Sequence, residues 1–200
     1  MENEVYEVEN LDSFLNKLND EKNITVDEIP DIDLYMDQVI QLFENKYGGT
    51  KRNEDEKILT KTMINNYAKG KLFMPVKNKK YSKEHLLLIS LIYQLKGTLT
   101  IKDIKDTLDG VNKKVTEEGF LIDGLYNSYL RENDRNKAFL MEDIPMRMKN
   151  VQAELADMED PDKAYLEKVL FIASLANMSN LYRRIAEKLV DEIVEECKEA

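Results

Sequence analysis

Residues 50–83 hold the side chains best suited to chemistry. They carry ten Lys or Arg (Lys51, Arg52, Lys57, Lys61, Lys69, Lys71, Lys77, Lys79, Lys80, Lys83) and three acids (Glu54, Asp55, Glu56). Ten minus three makes this stretch +7. The net charge of the chain is −10 at pH 7, so the remainder is −17. A basic block inside an acidic protein is the form of an electrostatic docking site for phosphate. Within the block lies Asn65, and an Asn amide can pair bidentately with an adenine edge in a major groove. Lys61 and Lys69 fall on the same helical face, suited to phosphates, and Asn66 sits at the margin of that face. Thr60 and Thr62 stand at a helix start, where backbone N–H groups favour phosphate. Lys71, Lys77, Lys79 and Lys80 follow in a stretch expected to form a hairpin that reaches a neighbouring backbone or minor groove.

Other chemistries find no residues to carry them. His85 is the single histidine and Cys197 the single cysteine, too few for a usual zinc site. His85 is expected to be a packed or capping residue, and one cysteine forms no intramolecular disulfide. The acids follow helix-surface spacing, so no catalytic pair stands out. Phosphate loops, nucleophile elbows and His-Glu-x-x-His sequences are missing. Asp191, Glu192, Glu195 and Glu196 lack the histidines of a bundled di-metal site. The expectation is therefore no catalytic residue, no metal and no cofactor. No apolar run reaches the ~18 residues of a membrane span, and the first residues lack a secretory pattern. A cytoplasmic protein with no membrane partner is expected.

These residues need elements to hold them, and the spacing predicts helices almost throughout. Leu11, Phe14, Leu15 and Leu18 mark a short helix capped by Asn10, and polar residues 20–29 read as a linker. Helices are expected over 32–47, closed by Gly48-Gly49, and over 61–69, capped by Thr60 and stopped at Gly70. In the latter, Met63, Ile64 and Tyr67 form the apolar side. Residues 71–81 break the pattern. Leu72, Met74 and Val76 alternate and Asn78 suits a turn, so strand is expected only there. Ser82 caps a helix apolar most of the way round, hence central and buried. Thr100 with Asp103 resembles a capping box for a helix closed by Asp109-Gly110. Further helices are expected around 120–130, from Ile144 to Met158 with Pro145 in the first turn, over 164–176, and from Leu181 to Cys197.

The motifs of residues 60–108 resemble the winged helix-turn-helix of the MerR superfamily of bacterial transcription regulators. The matching pieces are Thr60-Lys-Thr-Met-Ile-Asn-Asn-Tyr67, Gly70-Lys-Leu-Phe73, Lys79-Lys-Tyr-Ser82 and Gly97-Thr-Leu-Thr-Ile101-Lys-Asp-Ile104-Lys-Asp-Thr-Leu108. Asn65 stands where that family has Arg, and Asn66 where it has its first Tyr. The nearest candidate for the family's first helix, 32–47, is separated by a loop about three times longer than a usual turn of three or four residues. The resemblance brings Tyr67 and Tyr81 into the set of DNA-contacting candidates. Residues 31–135 also resemble a bacterial family known only as a domain of unknown function.

The resulting expectation is an all-α chain with three parts. Residues 1–30 are an N-terminal helix and acidic linker. Residues 31–110 are a winged helix-turn-helix with a small β-hairpin wing, and 111–200 are a helical bundle that dimerises, senses an effector or both. The expected partners are double-stranded DNA and a second copy of the chain. A helical interaction adaptor that has lost DNA binding is the alternative, followed by an enzyme of unknown type.

Overall fold

The computed structural model describes residues 10–117 and 119–199. Its helices are α1 (Leu11–Asp20), α2 (Met36–Tyr47), α3 (Lys61–Lys69), α4 (Lys83–Leu95), α5 (Ile101–Glu117), α6 (Ile122–Glu154) and α7 (Lys163–Glu199). Two short strands, β1 (Leu34–Tyr35) and β2 (Lys80–Tyr81), pair antiparallel, with Leu34 opposite Tyr81 and Tyr35 opposite Lys80. The protein is thus mostly helical, with one small sheet among the described residues. Strand is not confined to 72–81, however. The second strand of the expected hairpin pairs chiefly with the segment before α2, and only Lys77 bridges to Lys80 across the turn.

The described residues form two compact units, one drawn from 23–130 with 172–199 and the other from 10–22 with 131–171. In the smaller unit, the Asn10 side chain accepts the Ser13 N–H at 2.8 Å and so caps α1. Lys137 donates to the Glu21 carbonyl. Ile144 and Val151 are buried there, whereas Tyr165, Val169 and Leu170 are exposed.

The larger unit is built around α4. His85 to Ile92 are buried without interruption, as its nearly continuous apolar sequence requires. Ser90 is the polar exception, and its hydroxyl lies 2.7 Å from that of Tyr126. Tyr126 has one hydrogen, and it goes to the Ile24 carbonyl at 2.8 Å, so Ser90 is the donor of their shared bond. Burial holds the Tyr126 phenol well above its ordinary pKa.

Residues 23–29 are part of this core. Ile24, Val26 and Ile29 are buried, and Thr25 and Glu28 close a capping box around the 3₁₀ turn Val26–Glu28. Asn23 accepts from Gln94 at 2.7 Å and from the Tyr47 hydroxyl at 3.3 Å. The linker expected here is instead the clasp joining α2, α4 and α6. Its polar residues cap and bond from the outer side, with Thr25, Asp27 and Glu28 exposed, while Ile24, Val26 and Ile29 point inward.

Helix ends account for the remaining differences. Gly110 lies inside α5, not at its end, because Val111 and Val115 carry the apolar side onward against the core. Pro145 lies inside α6, where buried Ile144 and Val151 on either side keep the helix continuous. Residues 177–180 contain no Gly or Pro, and the two expected C-terminal helices are one.

Candidate nucleic-acid interface

Helix α3 begins where Thr60 stops the extended chain. The Thr60 hydroxyl accepts the Met63 N–H at 3.1 Å, leaving other first-turn N–H groups without helical partners. Ile64 and Tyr67 anchor one side in the core. Lys61, Thr62, Asn65, Asn66 and Lys69 are all exposed. Among the described residues, the side chains of Asn65 and Asn66 make no hydrogen bond, so both amides are available to a ligand.

The exit from α3 is a Schellman motif. Leu72 N–H returns to the Tyr67 carbonyl at 3.0 Å and Lys71 N–H to the Ala68 carbonyl at 3.1 Å. The left-handed residue is Lys71, with φ of 57°, and not Gly70. Gly70 is needed for space instead. A Cβ there would meet the Leu72 side chain at 2.7 Å. A second left-handed pair follows at Asn78 and Lys79, with φ of 52° and 58°. Lys80 N–H bonds to the Lys77 carbonyl at 2.9 Å, so Asn78-Lys79 is a two-residue turn of type I′ form. Left-handed geometry at a non-glycine residue costs roughly 1–2 kcal/mol. The chain therefore places lysine twice where glycine would fit more easily.

The hairpin is tied to α4 by rings. Phe73, Tyr81 and His85 meet edge to face with centroids 5.8–6.2 Å apart. His85 Nδ1 accepts the Ser82 N–H at 3.1 Å, which makes Nε2 the protonated nitrogen donating to the Met74 carbonyl at 3.2 Å. His85 is thus a capping and packing residue, as expected. Burial lowers its pKa, opposed by the Met74 carbonyl, the charge of Glu84, the Pro75 backbone and the charge of Asp33.

Of the expected contact residues, Tyr67 and Tyr81 are core. Each is 4% exposed and has a phenol pKa raised by burial, and of the two Tyr81 also lines a groove beside α3. Lys80 is half-buried, with its ammonium 5.4 Å from the centre of the Tyr35 ring. Lys61 is exposed but paired with Asp37 at 2.8 Å. Lys51 pairs with Glu44, and Lys83 with Asp123 at 3.0 Å, a bond that raises the Lys83 pKa. The uncompensated cations of the basic block thus include Lys69, Lys71, Lys77 and Lys79, which are exposed and form no ion pair among the described residues.

Asn65, Lys71 and Lys79 come together on one groove of about 970 Å³. Its other wall is the second half of α5, with Asp109, Asn112, Lys113, Thr116 and Glu117, and Asp37 lies on its rim. These residues were missed because Gly110 reads as a helix stop. The signal present was the spacing of Asp109, Asn112, Lys113 and Thr116 by three, one and three, which keeps them on one face. Asn112 joins this wall to the α3 exit by donating to the Leu72 carbonyl at 2.9 Å, and its amide also donates to the Leu108 carbonyl of its own helix at 3.1 Å.

The model of a family described as Domain of unknown function (DUF1836) matches residues 24–129. The chain belongs to that family. The DUF1836 match coincides with the continuous segment of the larger unit, from the Ile24 clasp to the turn of α6 beyond Tyr126. The exposed face of α3, the hairpin turn and the groove all lie inside the DUF1836 region. Neither a curated protein nor a solved structure matches the chain significantly.

Proposed function

We propose that this DUF1836 protein is a sequence-specific DNA-binding transcription regulator of the cytoplasm. The observation that carries the reading is the uncovered side of α3. It presents two unpartnered asparagines beside unpaired lysines on the helix exit and the hairpin turn. In this reading α2 and α3 act as the helix pair, the turn at Asn78-Lys79 as the wing, and α3 as the element entering the major groove, an arrangement similar to the MerR regulators. Asn65 reads a base edge. Lys69, Lys71, Lys77 and Lys79 meet phosphates, with Thr60 and Thr62 at the helix start. Lys61 contributes once Asp37 is displaced.

A regulator of this kind reads two half-sites as a dimer. We assign that role to α7, where Leu181, Ile185 and Leu189 repeat every four residues and are 43%, 59% and 55% exposed. Such a stripe suits a second copy of the chain.

The test is a binding titration on selected and scrambled duplexes at several salt concentrations. Four phosphate-facing lysines predict a log–log salt slope of roughly −3 to −4. Lys77→Ala should weaken binding to every sequence and shallow the slope by about one unit. Asn65→Ala should cost about 1–3 kcal/mol on the selected site and much less on the scrambled one. If wild type binds no duplex at low ionic strength, the regulator reading is lost, and an interaction adaptor using the α7 stripe replaces it.

A further inference from the structure

The groove beside α3 has a composition that DNA contact alone does not explain. Its apolar lining comprises Phe73, Met74, Pro75 and Val76, extended by Met36 and Ala68. DNA backbone contact calls for polar walls, whereas this surface suits an apolar body. Its size lies in the range of small-molecule sites. The charges around it are unevenly compensated. Asp109 is paired with Lys113 at 2.9 Å and Asp37 with Lys61. Lys71 and Lys79 line the groove with no ion pair among the described residues, and the acid left unpaired in the lining is Glu117 in the last turn of α5. Both free lysines sit in left-handed backbone, so position and not backbone preference explains why a long cation occupies each place. The Asn112 bond to the Leu72 carbonyl holds the α5 wall against the α3 exit, so the groove is a formed feature of the unit.

We propose that this groove binds a small organic anion with an apolar body, a carboxylate on an aliphatic or aromatic frame. Phe73, Met74 and Val76 take the body, and Lys71 and Lys79 take the carboxylate. The binding site stands independently of DNA. One consequence rests on the proposed function: because Asn65, Lys71 and Lys79 belong to both surfaces, an occupant competes with DNA and releases it.

The site is tested without DNA, by ¹H–¹⁵N spectra of the full chain titrated with decanoate, decanol and decyltrimethylammonium. Decanoate should give saturable shifts at the amides of Ala68, Phe73, Asn112 and Thr116. Decanol should bind roughly tenfold more weakly, the effect of two partly solvated ion pairs. The cation should shift none of these amides. The double variant Lys71→Gly/Lys79→Gly suits both backbone positions, so it keeps the fold and should lose the preference for decanoate over decanol. Equal response to decanoate and decanol, or an unchanged preference in the double variant, overturns the anion assignment. Absence of saturable shifts at these amides up to about millimolar decanoate, or shifts confined to α7, overturns the site. Displacement of labelled duplex by decanoate is a separate measurement. Its failure removes the competition and leaves the groove assignment intact.

Discussion

Helices α3 and α4 lie within one unit and are joined by one hairpin, yet they are built on opposite terms. In α4 eight consecutive residues are buried, and each polar group among them has a partner: Ser90 on Tyr126, and His85 between Ser82 and Met74. In α3 two residues are buried, and the outer side carries amides with nothing to bond. The turns around α3 hold Lys71, Asn78 and Lys79 in left-handed backbone. The contrast teaches where the domain keeps its stability and where it accepts strain. A satisfied, apolar helix can support an adjacent surface whose polar groups are left open, because the two are locked together by Phe73, Tyr81 and His85.

The sharpest way to break this comparison is to cut into α4. Leu87 is fully buried, so Leu87→Ala should destabilise the protein by about 2–5 kcal/mol in denaturant unfolding, whereas Asn65→Ala should stay within about 0.5 kcal/mol of wild type. Similar losses for the two would mean that α3 is as integral as α4. His85 gives a smaller effect with a pH signature. Its folded pKa lies below the ordinary 6.5, so the unfolded chain takes up its proton first as pH falls. The stabilising contribution is full above about pH 6.5 and is lost as pH falls through the folded value. His85→Phe removes that loss while leaving the Ser82 N–H and Met74 carbonyl unpaired, at roughly 1–3 kcal/mol. Unfolding midpoints should therefore fall between pH 7 and 5 in wild type (roughly the His window) and stay flatter, from a lower plateau, in the variant. Equal slopes would show that His85 does not titrate as an enclosed group.

Much of this contrast was legible in local residue types. Thr60, Ser82 and Thr100 mark helix starts, and each is followed by a helix. Asn78 is a turn residue, and the apolar run after Ser82 is the buried helix. What failed had long-range causes. Gly110 and Pro145 read as boundaries, but packing of Val111 and Val115, and of Ile144 and Val151, carries the helices past them. Residues 23–29 look like a linker until Tyr47, Gln94 and Tyr126, far along the chain, supply partners for Asn23 and Ile24. Tyr67 shares the apolar side of α3 with Ile64, and that periodicity already placed it in the core. Only the family resemblance put it on the contact surface. Spacing puts Asp109, Asn112, Lys113 and Thr116 on one face of α5, but that this face and Asp37 line the groove beside α3 follows from tertiary folding.

The smallest expected effect tests the strain itself. Asn78-Lys79 occupies a turn with positive φ at both central residues, and Asn-Gly is the sequence that such a turn favours. Lys79→Gly removes a Cβ from left-handed backbone, which favours the folded state. It also frees the unfolded chain, which opposes it. Lys79 is exposed and has no ion pair among the described residues, so its side chain contributes little to holding the fold. The relief should win, raising stability by about 0.5–1 kcal/mol in denaturant unfolding. Lys79→Ala separates the two effects of the change. It removes the same charge while keeping the strained Cβ, so its stability should remain close to wild type. If lysine is retained for what it binds, both variants should lose duplex affinity and salt slope equally, and only the glycine should gain stability. A glycine variant that is less stable would show that Lys79 holds the hairpin, removing the backbone argument for a ligand-facing cation at this position.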